Sequence, residues 1–541
     1  MEWKSIARIR QRLKREQGTI YKDWGGRTSI ALIYPNSYWV GMSNLGFQTI
    51  YSLLNQYDRI VCERAFLEEG ESLSMESQRP LSDFDILAFS IPYELDYFNV
   101  AKILKLAQIP PFSINRDERH PLVLAGGAAV TANPEPLAPL FDGLIIGEGE
   151  PALLPALEIL AQGARPRHDL LKELSRLPGI YVPQLRPRLV KRIWVEDPDQ
   201  FPTTSTILTP DAEFGKLYLI EIARGCKWGC RFCLAGFLSR PMRPRSVHHL
   251  LTQAKEGLRY KRRIGLVGAT ISDHPQIEEL TLGLRKMGAN FSVSSLRIKP
   301  LPHTLLHTLA EAKAQAISLA PESASERLRQ IINKHLTPDD IEEAVVRAAQ
   351  SGIKHIKLYF MIGLPTETDE EAGQIARLAQ ELEGAIERRR ARTRLTLNLT
   401  PFVPKAGTPF QWLPMERAEV LKRRLTLIYQ GVGRRGIKIK SKSIEWSLVQ
   451  GMLSRGDQRL AQVITQMPHV SFSAWRQALE KTGLDPDYVH RETSLEERLP
   501  WSIIDSGVKT QHLCRELERA RAGLETPPCP PVNCHECGVC P

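Results

Sequence analysis

Seven of the nine cysteines in this 541-residue chain lie in two knots, and that placement limits what the chain can build more than any other feature. Cys226, Cys230 and Cys233 stand in RGCKWGCRFC, spaced C-x3-C-x2-C, while Cys529, Cys534, Cys537 and Cys540 crowd the last thirteen residues. In a reducing compartment such clusters are metal or redox sites rather than disulfides. Three thiolates on one tight loop hold three irons of a 4Fe–4S cluster and leave the fourth open to a substrate or cofactor. Structural zinc takes four closed ligands, and the nearest histidines, His248 and His249, fall in a helical stretch beyond the loop. The tail spacing, C-x4-C-x2-C-x2-C, suits either a second 4Fe–4S cluster or tetrahedral zinc, unless the chain end stays metal-free. A cluster there would pass electrons or anchor substrate; zinc would fold the tail. Cys62 and Cys514 stand alone and read as inert buried thiols.

The first knot follows LYLIEI (217–222), a short β-rich run, with glycine turns at Gly225 and Gly229. The cysteines therefore sit at the C-terminal end of a strand, where barrels of alternating strands and helices do their chemistry. Five more strands are expected at 263–270, 291–298, 316–323, 353–363 and 394–403, separated by amphipathic helices such as PDDIEEAVVRAAQ. Six such units make a partial (β/α)6 barrel of the TIM type, open on one side. Earlier in the chain SIALIYPN, DILAFSIPY, PLVLAGGAAV and GLIIGEGEPALL are near-continuous apolar runs, as the buried parallel strands of a doubly wound sheet are. After Trp412 the pattern is mainly helical.

Composition excludes several classes. Apolar residues make up 42% and charged residues 25%, which is ordinary for a folded chain. No run approaches ~18 uninterrupted apolar residues, so no membrane span is expected. The opening MEWKSIARIRQRLKREQ lacks the apolar core of a signal peptide, so the expected compartment is cytoplasmic. The formal charge is +11, with the excess in patches at 186–192, 387–394 and 422–442. Such patches suit nucleic acid or phosphorylated partners, although no aromatic residues interleave them.

The loop RGCKWGCRFCLAG resembles that of the radical S-adenosylmethionine enzymes. The resemblance implies that the open iron chelates S-adenosylmethionine, that one electron cleaves the sulfonium, and that a 5′-deoxyadenosyl radical results. It places Phe232 near the adenine, Gly268, Ala269 and Thr270 at the cofactor amino group, and Ser295 and Arg297 toward its carboxylate. It places Glu322 at the ribose hydroxyls and Gly363 beside the adenine. The third position of the amino-group motif is usually acidic, and here it is Thr270. FVPK and TPFQW (within 402–412) are similar to a segment of one subgroup, in which Lys405 would hold an acidic substrate group or the segment simply packs as a barrel-closing loop.

LAGGAAVTANPEPL and DGLIIGEGEPALLPAL resemble the cobalamin-binding-like domain that precedes many of these barrels. Gly126, Gly127, Gly147 and Gly149 would let backbone approach a large planar ligand. His120 and His168 lack the context of a cobalt-ligating histidine, so either cobalamin binds without a protein ligand or the domain keeps the shape without the cofactor. The expected organisation is α/β. A Rossmann-like cobalamin-binding-like domain spans 1–195 and the barrel 212–430. A helical region covers 431–528 and a cysteine-rich metal-binding tail 529–541. The implied activity is C–H activation through a 4Fe–4S cluster and S-adenosylmethionine, with cobalamin-dependent methylation as one form. RNA- or ribosome-directed modification and non-catalytic cofactor sensing are the alternatives. The implied electron donor is a flavodoxin or ferredoxin, and no membrane partner is expected.

Overall fold

The protein is seen in a computed structural model, described here for every residue except 1, 69–71, 164, 188, 313, 434–435, 531–533, 535 and 541. Its N-terminal sheet contains β1 (Thr28–Tyr34), β2 (Ile60–Phe66), β3 (Ile86–Ser90), β4 (Leu122–Gly126), β5 (Gly143–Ile145) and β6 (Ile180–Tyr181). The spatial order is β2-β1-β3-β4-β5-β6. All neighbours are parallel except β5 and β6. The winding reverses between β1 and β3, and open α/β sheets leave their ligand crevice at such a point. The four expected apolar runs supply β1, β3, β4 and β5, whereas β2 was hidden by the charges in IVCERAF. Inside the fold Arg64 is neutralised by Glu16 and Glu76, each at 2.7 Å, and Glu63 accepts the Trp24 indole N–H at 2.7 Å. Cys62 is buried in the same strand, which pushes its thiol well up.

The two faces of this sheet have different partners. Ile33, Leu87, Phe89 and Val123 pack with the helix Tyr97–Leu106 and with C-terminal helices that include Leu460–Gln466 and Phe472–Thr482. Ile30, Leu32, Ile86 and Leu122 face the helices Leu45–Gln56, Glu150–Leu160 and Arg167–Leu174. The C-terminal helical region thus shares a core with the N-terminal sheet. Two of its helices, Ile444–Arg455 and Leu460–Gln466, part at Gly456. A Cβ at Gly456 would meet the Leu460 side chain at 2.0 Å, so glycine permits the close turn.

The six expected barrel strands are present as Tyr218–Glu221, Arg263–Val267, Asn290–Val293, Ala316–Glu322, His355–Ile362 and Arg394–Pro401. The first three form one parallel sheet and the last three belong to another, joined by a bridge between Leu296 and Leu319. A seventh strand, Lys438–Ser441, adds in parallel beyond the sixth. In sequence it reads as part of a basic patch. In the structure Ile437 is buried and Ile439 packs on the core, while the lysines face solvent, a common way to protect a sheet edge.

Strand residues Ile264, Leu319, Leu358 and Leu397 bury against helices that include Pro338–Gln350 and Asp369–Arg388. Those two helices begin with capping boxes, Thr337 with Asp340 and Thr368 with Glu371. Among the described residues no helix is long and apolar enough to cross a membrane.

Candidate active site at the cysteine loop

The first barrel strand ends at Glu221, and the loop that follows is pinched at its base. Ala223–Arg224 pairs antiparallel with Arg243–Pro244. Gly225 has φ +72°, and a Cβ there would strike the Ser239 and Pro241 carbonyls at 2.2 and 2.4 Å, so no other residue fits the pinch. Within the loop Cys226 and Cys230 are buried and Cys233 is partly so. The Trp228 N–H points at the Cys226 sulfur from 3.4 Å. Burial pushes the Cys226 thiol up to about 12, with Cys230 adding to the rise. Burial also raises Cys233, against the pull of the Gly236 and Ala235 N–H groups and Lys334. Such thiols ionise when a cation replaces the proton, as iron does.

Buried polar side chains hold the loop. The Arg231 guanidinium donates to Glu516 at 3.1 Å, to the Ile331 carbonyl at 2.9 Å and to the Leu524 carbonyl at 2.7 Å. Asn333, at φ +59°, donates to the Gly229 and Thr526 carbonyls, each at 3.1 Å, and accepts the Thr526 N–H at 2.8 Å. The loop is therefore tied both to the barrel and to the C-terminal segment.

Around it stand the other strand ends. After the second strand Thr270 is buried and its hydroxyl has no hydrogen-bond partner. Three residues on, buried Asp273 accepts the Trp228 indole N–H at 2.8 Å and pairs with Lys227 at 3.2 Å. Arg297, after the third strand, lies 3.7 Å from Asp273 and stacks over Trp228 at 3.8 Å. Glu322 closes the fourth strand with φ +68° and pairs with Lys334 at 3.1 Å.

Gly363 closes the fifth strand with φ +77°, and its N–H donates to Glu367 at 2.6 Å. Glu367 is also paired with Arg424 at 3.0 Å, yet burial pushes its carboxyl up to about 7. Phe232 packs partly buried on the cluster of Phe237, Leu328 and Ile331. Gly268 and Ser295 are partly exposed and Ala269 is exposed.

Asp273 was missed in the sequence. It is the one acid in LVGATISDHP, and with threonine at the usual acidic position it stands as the carboxylate of this strand end. Lys405, read as a substrate contact or part of a packing loop, pairs with Glu94 at 2.5 Å, beside a Gln450 contact to the same carboxylate at 2.9 Å, and Phe410 and Trp412 of the same segment are buried, as in a packing loop. It joins the barrel to the N-terminal sheet.

A second feature opens beside the loop. A cavity of about 430 Å³ lies at the carboxyl ends of β1, β3, β4 and β5. Gly126, Gly127, Gly147 and Gly149 all line it, and so do Arg224, Leu238 and Ser239 on either side of the cysteines. Two of these glycines have a different reason to be glycine from the one expected. At Gly127 and Gly147 a Cβ would strike the backbone of Ile91 and Ile193, at 2.5 and 2.0 Å. Close approach of the chain to itself fixes them, while Gly126 has only ordinary contacts and leaves its wall open. Arg224 at the cavity wall is locked by Glu148 at 3.0 Å, Glu150 at 2.6 Å and Glu221 at 2.9 Å.

Family models match in the same two places: "Radical SAM proteins, N-terminal" over residues 46–183 and "Radical SAM superfamily" over 220–379. An uncharacterized protein of Methanocaldococcus jannaschii, MJ0966, is 30% identical over 446 residues, 81% of this chain and 90% of its own. The chain belongs to the radical S-adenosylmethionine (radical SAM) superfamily. It is a radical SAM enzyme, and the family implies a 4Fe–4S cluster and S-adenosylmethionine. An uncharacterized methyltransferase of Pyrococcus horikoshii, PH0819, is 26% identical over 303 residues, 53% of this chain and 62% of its own.

Among solved structures, the radical S-adenosylmethionine methyltransferase TsrM from Kitasatospora setae, with cobalamin and a 4Fe–4S cluster bound, has a TM-score of 0.52. At 12% identity over 84% of this chain and 98% of that one, the likeness is one of fold. The residues of this radical SAM enzyme fit what its family implies. Three thiols, two of them buried, stand on one loop, and the unpartnered Thr270 hydroxyl and the Asp273 carboxylate adjoin it, as a site for a polar cofactor requires.

Proposed function

We propose that this radical SAM enzyme activates an unactivated C–H bond of its substrate and methylates that carbon, with cobalamin held in the N-terminal cavity. The observation that carries the reading is the cavity itself. It is walled by the strand-end glycines on one side and by Arg224, Leu238 and Ser239 of the cysteine-loop region on the other, so a ligand in it lies beside the loop. Its volume is that of an ordinary small-molecule site, and its inner wall is the apolar sheet face of Ile30, Leu32, Ile86 and Leu124. That suits the buried base and sugar of a nucleotide tail. The names of the methyltransferase relatives support the same chemistry.

When bound, the loop cluster with S-adenosylmethionine supplies one-electron chemistry, and cobalamin supplies a transferable methyl group. The chain's own residues bind and orient. Cys226, Cys230 and Cys233 hold the cluster, and Thr270 with Asp273 receives the cofactor ammonium. Arg297, flattened on Trp228, faces the cofactor carboxylate. On the strand faces turned away from the helices, Tyr359, Asn398 and Lys440 stand side by side across three strands. The Asn398 amide nitrogen is buried there without a partner. A substrate with a polar or anionic group near the reacting carbon fits that row.

The test is corrinoid retention. Protein prepared without oxygen and mixed with hydroxocobalamin is expected to keep about one corrinoid per chain through gel filtration. Ala156→Trp, which fills the cavity from the helix Glu150–Leu160, is expected to lose it while keeping its iron. Wild-type protein that retains no corrinoid contradicts the reading.

A further inference from the structure

The four tail cysteines are usually read one of two ways, and the way they are placed separates the two. Cys534 and Cys537 are buried, and Cys529 and Cys540 are partly so, with the tail seated on the rest of the molecule. The Cys529 N–H donates to the Lys227 carbonyl at 2.8 Å, one residue from Cys226 in the cysteine loop. The Lys509 N–H donates to the Cys537 carbonyl at 2.8 Å, which fixes the other end of the tail at the start of the helix Thr510–Arg521. Asn333 and Arg231 tie the approach to the tail, at Thr526 and Leu524, to the same loop.

Between these contacts lies a cavity of about 140 Å³. Cys529, Cys534 and Cys537 line it, facing Gly229 of the cysteine loop, Arg240 and His512. Four thiolates on one zinc, each ~2.3 Å from it, would stand within about 4 Å of one another and leave no void between them. Thiols that line a cavity suit a group that fills it, and a cube of iron and sulfide is such a group. Arg240, within electrostatic reach of Cys529 and Cys540, offsets the negative charge that four thiolates bring.

We propose that Cys529, Cys534, Cys537 and Cys540 bind a second 4Fe–4S cluster, packed against the back of the loop that carries the first. The inference rests on the reading of that loop as a cluster site. The two clusters share the Lys227–Gly229 turn as a common wall, so assembly of the second braces the first.

Metal analysis of three full-length proteins, prepared and reconstituted without oxygen, tests this. Wild type is expected to hold about eight irons and eight sulfides per chain, with zinc far below one. A variant with Cys226→Ala, Cys230→Ala and Cys233→Ala together is expected to keep about four irons and four sulfides. Its reduced-cluster EPR signal should not respond to S-adenosylmethionine. A variant with all four tail cysteines changed to serine is expected to keep the other four irons, and to lose them faster to an iron chelator.

One zinc per chain in wild type with about four irons overturns the proposal, whether or not the variants fold. So does a loop variant that holds zinc or no metal. A tail variant that folds but holds no iron would instead sink the reading of the loop, and the count in the loop variant would still decide the tail.

Discussion

Asp273 is the residue on which cofactor binding turns most directly. Its carboxylate is fully buried, yet it is joined to Trp228, Lys227 and Arg297, all of which belong to or lie on the cysteine loop. Asp273→Asn keeps the shape and removes the charge. Hydrogen bonds to charged groups contribute about 1.5–3 kcal/mol each, so the dissociation constant for S-adenosylmethionine should rise about 10- to 100-fold. The iron content should stay unchanged. An unchanged affinity would mean that the carboxylate only positions Trp228.

Glu367 gives a second test at this scale, one of pH. Burial raises its carboxyl from the ordinary 4.5 to about 7, and it outweighs the Gly363 N–H and Arg424, which favour the charged form. Folding therefore favours the protonated side chain. The stability this contributes is full below about 4.5 and is lost as pH rises through about 7. Melting temperature measured across that window should fall in wild type relative to Glu367→Gln, by up to about 3 kcal/mol in stability. Parallel profiles for the two proteins would refute it.

At the scale of elements, the turn 332–335 does more than end a helix. Asn333 and His335 both have positive φ, and the Asn333 side chain makes three hydrogen bonds that sew the cysteine loop to the C-terminal segment. Asparagine tolerates that backbone better than alanine does. Asn333→Ala should cost about 2–3 kcal/mol, since it also leaves the Gly229 carbonyl and the Thr526 N–H without this partner. Limited proteolysis should then cut near residue 526 well before the barrel, and equal cutting rates would contradict the role.

The strand–helix rhythm of both halves was legible from sequence because buried parallel strands are nearly continuous apolar runs. The elements that escaped were those whose charges are neutralised only in three dimensions. Arg64 in β2 meets Glu16 and Glu76 from distant segments, and the lysines of 438–441 line an edge strand. The cysteine loop was legible for a different reason, because ligand spacing is local. Asp273 and Asn333 were not, since their importance comes from contacts across 45 and 104 residues of chain.

Over the whole molecule, the cysteine loop lies at a junction. The N-terminal sheet reaches it through the cavity and the Glu148, Arg224 and Arg243 ion pairs, and the C-terminal segment through Arg231, Asn333 and Cys529. The resemblance to a cobalamin-binding-like domain placed four glycines at the cavity wall. Two of them, Gly127 and Gly147, prove necessary because strands and turns of the same chain pass close by, a constraint that becomes visible only with the fold. On the proposed reading, all of these contacts would hold three thiols in one geometry for a cluster whose fourth iron has no protein ligand.

EPR of the reduced variant with the four tail cysteines changed to serine, recorded with and without S-adenosylmethionine, tests that claim most directly. The signal is expected to shift on addition, as amino and carboxylate groups chelate the open iron. An identical spectrum in both samples would contradict it.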